Sequence, residues 1–527
     1  MRAIRLVSGF IGVAAAAVWF TAATDARAQS AQSLLTARCA ACHEARGSGK
    51  LKRIQDVRKT PEAWSMTLMR MTIVHGVKLT GRDRRTLVTY LSNTQGLAPS
   101  ESTKYRYILE KTPGLTDTGP NDLLTQMCAR CHSYARVVLQ RRDKAEWLKL
   151  IDFHLGQYPT TEYQALGRDR DWWGIATTKV VEALAKALPY NTKAWTAWKD
   201  RKSPNLAGVW RVIGHQPGKG DYEGTLTIRA GRSGDSYSVV TRLNFAKGTI
   251  TRRGGAVIYN AHEWRASTKG EDGRVRQVMA VSEDGNSMTG RWYSRKSDVI
   301  GGTLRAIRIE GAKTRVLGVS PSYIKRGTSA KITISGVRLS LDFDLGEGLA
   351  GRVLEKSANR IVLLVRAAPD AAPGARDIKV GKAKLAGALT VYDKVASVKI
   401  VPARTYARIG GNRGPIPPVP AQFEAIGYMA GADGKPGTKD DVRIGVMEAK
   451  WTVANFDDTA KAMKDKEFAG RLTQSGLFLP AGAGPNPARR MGTNNVGNLK
   501  IIGTIAGIKG EAHLFVTVQR YVDPPIR

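Results

Sequence analysis

All four cysteines of the chain fall in two short clusters of identical spacing, Cys39-Ala40-Ala41-Cys42-His43 and Cys128-Ala129-Arg130-Cys131-His132. Each is C-x-x-C-H, the spacing at which a c-type haem is attached. On one helical turn the two thiols reach the two vinyl groups of one porphyrin, and the adjacent imidazole points at the iron. Thioether attachment also lets a small domain keep the cofactor without burying it completely. A thioredoxin-like redox pair or half of a zinc site also uses C-x-x-C, but neither needs a histidine beside the second cysteine, and here the coincidence would have to happen twice. Two covalently bound haem c groups are therefore expected. One is held by Cys39, Cys42 and His43, the other by Cys128, Cys131 and His132, which leaves no cysteine for structural disulfides.

A c-type iron usually takes a second axial ligand from further along the chain, and an internal repeat indicates where. After the first cluster comes Arg58-Lys59-Thr60-Pro61-Glu62-Ala63-Trp64, then six residues, then Met71; after the second comes Arg141-Arg142-Asp143-Lys144-Ala145-Glu146-Trp147, then six residues, then His154. Trp64, Leu68 and Met71 share one helical face, as do Trp147, Ile151 and His154. Met71 and His154 are the expected distal ligands. Met66, Met69 and His75 compete for the first site, and Tyr158 is a poor substitute for His154. A further helix is expected in each half, over residues 86–93 and 180–188. With His/Met ligation at one iron and His/His at the other, the potentials should be unequal, since a thioether stabilises ferrous iron. Electrons would then enter at the His/His site and leave from the His/Met site. With both axial positions filled, the chain carries electrons and contains no catalytic residue of its own.

The N-terminus reads as an export signal over residues 1–28, with Arg2 and Arg5, an apolar run from Leu6 to Phe20, and an A-x-A site at Ala26-Arg27-Ala28. That run is too short to span a membrane and no later one is long enough, so a periplasmic protein is expected. The formal net charge of +37 favours acidic partners by electrostatic steering or is simply solvated. No nucleic-acid-binding motif accompanies it.

With 527 residues, 42% of them hydrophobic, several domains are expected. The helical dihaem domain covers 29–200. From 201 the period shortens, with strands over 205–210, 224–228, 237–243, 257–259, 278–281 and 288–292 between turn residues, which predicts an antiparallel barrel-like domain over 201–311 able to hold a ligand. His215 and His262 lie here as solvated or core groups. Residues 312–394, opening Val316-Leu317-Gly318-Val319-Ser320-Pro321, resemble an immunoglobulin-like sandwich, and 395–527 form a second. The latter contains a Pro-rich loop from Gly414 to Pro420 and the run from Asp433 to Asp441, whose spacing fits a tight hairpin turn better than a calcium loop. The fold class is thus a multidomain α + β chain, an all-α dihaem cytochrome c domain followed by three all-β domains.

An exported chain with two C-x-x-C-H units in one helical domain, followed by one barrel-like and two immunoglobulin-like domains, resembles the α subunit of quinohemoprotein amine dehydrogenase over essentially its whole mature length. The resemblance implies a heterotrimer with a β-propeller subunit and a small subunit carrying a tryptophan-derived quinone. Primary amines are oxidised at that quinone to aldehyde and ammonia, and electrons pass through the two haems to an external acceptor such as a small copper protein or cytochrome c. It assigns the haems to the two cysteine clusters and places the quinone outside this chain. A free-standing dihaem carrier and a peroxidase-like haem enzyme are the other readings.

Overall fold

The computed structural model describes residues 31–112, 115, 117–130, 132–157, 169–411 and 417–518. The expected export signal, Cys131, Tyr158 and Gly414 to Ile416 lie outside these residues. Among the described residues no helix is long and apolar enough to cross a membrane.

The N-terminal third is helical, and its helices start where the sequence supplies caps. Thr60 caps the helix Pro61–Ile73 by accepting from Ala63 N, with proline in the first turn, where its missing N–H costs nothing. Thr80 and Asp83 form a reciprocal capping box on the helix Gly81–Thr94, at 3.0 and 3.1 Å. The Pro61–Ile73 helix buries Trp64 and Leu68 against Leu35, Leu87 and Leu91. In the second half the corresponding core joins Leu124, Trp147, Ile151 and Trp172 to Val181 and Leu184. The expected helix over 180–188 is preceded by a π turn over Ala176–Val180.

The two halves meet through an antiparallel ribbon of the repeated segments themselves, Val57–Lys59 against Gln140–Arg142, with Arg58 directly opposite Arg141. These arginines occupy equal offsets in the sequence repeat, so a local two-fold axis passes between them.

Residues 208–308 form a closed eight-stranded antiparallel barrel in which the strand Gly301–Arg308 returns to pair with Gly208–Gln216. Two of its strands, Glu263–Gly270 and Gly301–Arg308, escape the sequence reading because each has one large residue on the core face, Trp264 or Leu304, beside small ones, with charged residues in between. Eight strands leave an interior that side chains just fill. Trp210, Leu226, Trp264, Met279, Met288 and Trp292 fill it, so the interior is a packed core and not the ligand chamber the sequence allowed. The turn over residues 260–262 plugs into the helical domain. Asn260 Nδ2 donates to Leu97 O at 2.6 Å, Trp198 Nε1 donates to Asn260 O at 3.0 Å, and Arg265 pairs with Glu62. Gly96 is required at this contact, because a Cβ there would lie 2.3 Å from Ser92 O and 2.8 Å from Asn260 Nδ2. His262 is buried here beside Trp198, a core histidine as expected.

The next unit packs two four-stranded sheets, one containing Arg315–Ser320, Ser329–Val337, Arg360–Ala367 and Leu349–Ser357, the other Tyr323–Lys325, Ala383–Tyr392, Gly374–Val380 and Phe343–Asp344. Ile332, Ile334, Leu363, Val365 and Val391 lie between them. The last unit departs from a plain two-sheet sandwich. It has three sheets and two short helices, Asp458–Ala462 and Asp465–Phe468, around Phe423, Trp451, Phe478 and Leu514. The aspartate run does connect the antiparallel strands Glu424–Met429 and Val442–Met447, but as a long turn over residues 430–441. Its carboxylates are occupied internally, Asp440 accepting from Asp433 N and Asp441 from Gly437 N.

His215 is not the solvated or core group expected. Its Nδ1 lies 2.6 Å from Asp221 Oδ1 and its Nε2 2.6 Å from Glu424 Oε1, while Ser320 Oγ donates to Asp221 Oδ2 at 2.9 Å. One imidazole thereby ties the barrel to the last unit, and its carboxylate partner ties it to the middle one.

Candidate functional site

The first cluster closes the helix over residues 31–39, where Cys42 N and His43 N both turn back to Cys39 O at 3.2 and 2.9 Å. Cys39, Cys42 and His43 therefore occupy one turn. His43 Nδ1 is 3.0 Å from Lys52 O, and a ring nitrogen facing a carbonyl must carry the proton. Nε2 is then the ring nitrogen that could ligate a metal.

Cys39, Cys42 and Cys128 form no disulfide among the described residues. Burial, and then the neighbouring Cys42, holds the Cys39 thiol above its ordinary value, and burial pushes Cys128 up to about 12. A redox-active C-x-x-C needs the opposite, a thiolate favoured near neutral pH.

In the second half, Asn121 caps the helix Asp122–Cys128 by accepting from Leu124 N at 2.9 Å, and Cys128 ends it. Cys131 is outside the described residues. His132 Nδ1 lies 3.0 Å from Ser133 O, and His154 Nδ1 lies 2.7 Å from Leu150 O, one turn back in its own helix. Burial dominates at both rings and lowers both below the ordinary histidine value, favouring the neutral, ligating form. His154 also lies 6.2 Å from the Trp172 ring.

The candidate distal residues of the first half differ in burial and in helix face. Met71 is half-buried on the helix face that carries Trp64 and Leu68, whereas His75 is exposed in the turn beyond Ile73. Met66 and Met69 lie on the opposite, outward face, 53% and 40% exposed.

The two equivalent tryptophans differ in their hydrogen bonds. Trp64 Nε1 donates to Gln95 O at 3.0 Å, while Trp147, fully buried, has no acceptor for Nε1 among the described residues. A buried donor without an acceptor costs about 1–3 kcal/mol. Around it Met127, Leu150, Leu155 and Trp173 stay half-buried beside the histidines. An orphaned donor, two imidazoles with free Nε2 atoms and an incompletely covered apolar shell are what a planar apolar group with polar edges leaves when taken out. The second half therefore fits a haem. In the first half the fit rests on the one-turn cluster, the His43 tautomer and Met71.

Sequence reasoning missed the junction. Glu101, buried, takes Arg58 in two hydrogen bonds of 2.8 and 2.9 Å and Arg141 at 3.2 Å, and also accepts from Ala98 N and Thr192 Oγ1. Burial alone would raise this carboxyl, but the Arg58 hydrogen bonds and the charges of Arg58 and Arg141 outweigh it and hold it low. The repeat extends to the stacking of cations on the paired tryptophans, Lys59 5.0 Å from the Trp64 ring and Arg142 5.8 Å from the Trp147 ring. Arg70, next to Met71, stacks at 4.3 Å on Phe153, next to His154. The equal offsets were visible in the sequence, but not that the equivalent residues touch.

Among proteins of known families, the model described as "Quinohemoprotein amine dehydrogenase A, alpha subunit, haem binding" matches residues 29–195. Models of domains II, III and IV of the same alpha subunit match residues 203–309, 313–393 and 398–526. None of the curated proteins compared matches the chain. Solved structures with local likeness include a redesigned β barrel, 15% identical, covering 20% of this chain and 92% of its own, with a TM-score of 0.18. The titin domains z1z2 in complex with telethonin are 12% identical over 40% of this chain and 94% of theirs, with a TM-score of 0.15. At such scores neither likeness bears on function.

Proposed function

Because the chain belongs to the quinohemoprotein amine dehydrogenase alpha-subunit family, we propose that it is the dihaem electron-transfer subunit of a periplasmic amine dehydrogenase. The family makes it a haem-binding subunit of a multi-subunit oxidoreductase. The finer reading assigns one haem c to Cys39, Cys42, His43 and Met71, and the other to Cys128, Cys131, His132 and His154. It places the tryptophan-derived quinone in a small partner subunit, beside a β-propeller subunit, and the electrons leave to a small copper protein or cytochrome c. When bound, each haem supplies one-electron chemistry at its iron.

The chain's residues do the rest. The main-chain carbonyls of Lys52, Ser133 and Leu150 hold the Nδ1 protons of His43, His132 and His154 and turn each Nε2 outward. Trp147 Nε1 offers a hydrogen bond beside the second cluster, and the Leu150, Leu155 and Trp173 side chains would supply apolar surface to the group held there. The observation that carries the reading is this recurring imidazole geometry, three rings whose Nδ1 is held by a main-chain carbonyl.

Mass spectrometry of the native chain should find two covalently attached haems, and amine added to the native complex should reduce them. One haem per chain, or none, would sink the proposal. The ligand assignment has its own test. Met71→Ala should turn one haem high-spin and leave the other unchanged, while His75→Ala should leave both low-spin; the reverse pattern would exchange their roles. A redox titration should resolve two potentials, the thioether-ligated one higher.

A further inference from the structure

The helix Pro61–Ile73 faces two ways. Its inner side carries Trp64, Leu68 and Met71; its outer side carries Met66, Met69 and Ile73, followed by Val74, at 53, 40, 73 and 56% exposure. Among the described residues no other stretch of nine exposes so many large apolar side chains. The patch ends on one side at Glu62, which is committed to Arg265 of the barrel.

Its rim is strongly basic. Between residues 75 and 85 stand Lys78, Arg82, Arg84 and Arg85 against the single acid Asp83, itself spent on the Thr80 cap and near Arg38. Arg84 Nη1 lies 3.6 Å from Met69 Sδ, so rim and patch are contiguous. Arg82, Arg84 and Arg85 sit in the opening residues of the helix Gly81–Thr94, the end at which the helix dipole disfavours cations. Their placement works against that dipole, which favours a use for them at the surface.

We propose that this face is the docking surface for an exchangeable small redox protein with an apolar centre and an acidic rim, the external electron acceptor. The inference rests on the electron-transfer reading above and locates one of its partners. A permanent subunit interface typically buries 2,000 Å² or more, well beyond four apolar side chains and their rim, whereas a small apolar centre with a charged border suits a short-lived, steered encounter. A partner seated here is separated from the face holding Met71 by the thickness of one helix, about 10–12 Å.

The test uses the native complex, with plastocyanin as a small acidic copper-protein probe. At low ionic strength, Arg82→Glu with Arg85→Glu should weaken probe binding roughly tenfold or more and flatten its salt dependence. Ile73→Ser should weaken binding with the salt slope intact. Lys435→Glu with Lys439→Glu, on the turn of the last unit, should change neither. Equal weakening by the control pair, or no weakening by the arginine pair, overturns the proposal. So does loss of another subunit from the Arg82/Arg85 variant, which would make this a permanent interface, or tight binding of phosphatidylglycerol vesicles through the same arginines in place of the probe. Haem content and amine-driven haem reduction, measured in the same variants, separate the two readings. Their absence from the native complex defeats the proposed function, and their presence with unaltered probe binding defeats only the docking surface.

Discussion

Glu101 holds two guanidinium groups out of water, and removing its charge leaves both uncompensated. Glu101→Gln keeps the shape, yet should cost about 3–5 kcal/mol in denaturant unfolding of the full chain, because breaking a buried ion pair is far costlier than never having made one. A loss below about 1 kcal/mol would show the pair to be idle. The pH dependence has a definite sign. A carboxyl held below its ordinary value of 4.5 contributes stability above that value and loses it as the pH falls through the folded value. The variant should therefore lose less stability than the parent on acidification below about pH 4.5. The two cysteine clusters stand out in the sequence at this scale because residue type and spacing repeat together. Glu101 was not, since a lone glutamate in Pro99-Ser100-Glu101-Ser102 looks like any solvated acid until tertiary contact brings it two arginines.

Among elements, those with a strong period or a cap were legible and those with neither were not. The duplicated helices that carry Trp64 and Trp147 follow from their one-sided apolar spacing. The strand Glu263–Gly270 hides behind alternating charges, and the turn at Asn260 and Ala261 takes left-handed conformations, φ 48° and 57°, without the glycine that usually announces them. Inside the barrel, Arg252 is fully buried, 3.8 Å from the Trp292 ring, with Nε 3.1 Å from Asp272. The pair should behave asymmetrically. Asp272→Ala strands a buried cation and should cost about 3 kcal/mol. Arg252→Met removes the charge and retains the packing, so it should cost much less, and adding it to Asp272→Ala should restore most of the loss. Thermal melts of the three variants decide the matter, and equal single-variant losses would show that the cost lies in packing alone.

Across the whole molecule, His215 joins units that the sequence reading treats as separate. Burial alone would lower this ring, but its hydrogen bonds to Asp221 and Glu424, and their charges, raise it to about 9. A group raised above its unfolded value stabilises fully below about pH 6.5 and loses that contribution as the pH rises through about 9. With the partners partly exposed, the loss should be about 1–2 kcal/mol, read as a melting temperature that falls between pH 7 and 10 in the parent and stays flatter in His215→Gln. Identical profiles would remove the imidazole from the tie. No spacing rule links His215 to Glu424, because they meet only once three β units have packed.

The ribbon between Arg58 and Arg141 has a last consequence. Its two strands are joined as an antiparallel main-chain pair, so the gap between the two helical halves is a fixed spacer set by peptide geometry. Passage of charge across such a spacer should respond to driving force and temperature, and remain indifferent to the viscosity of the medium.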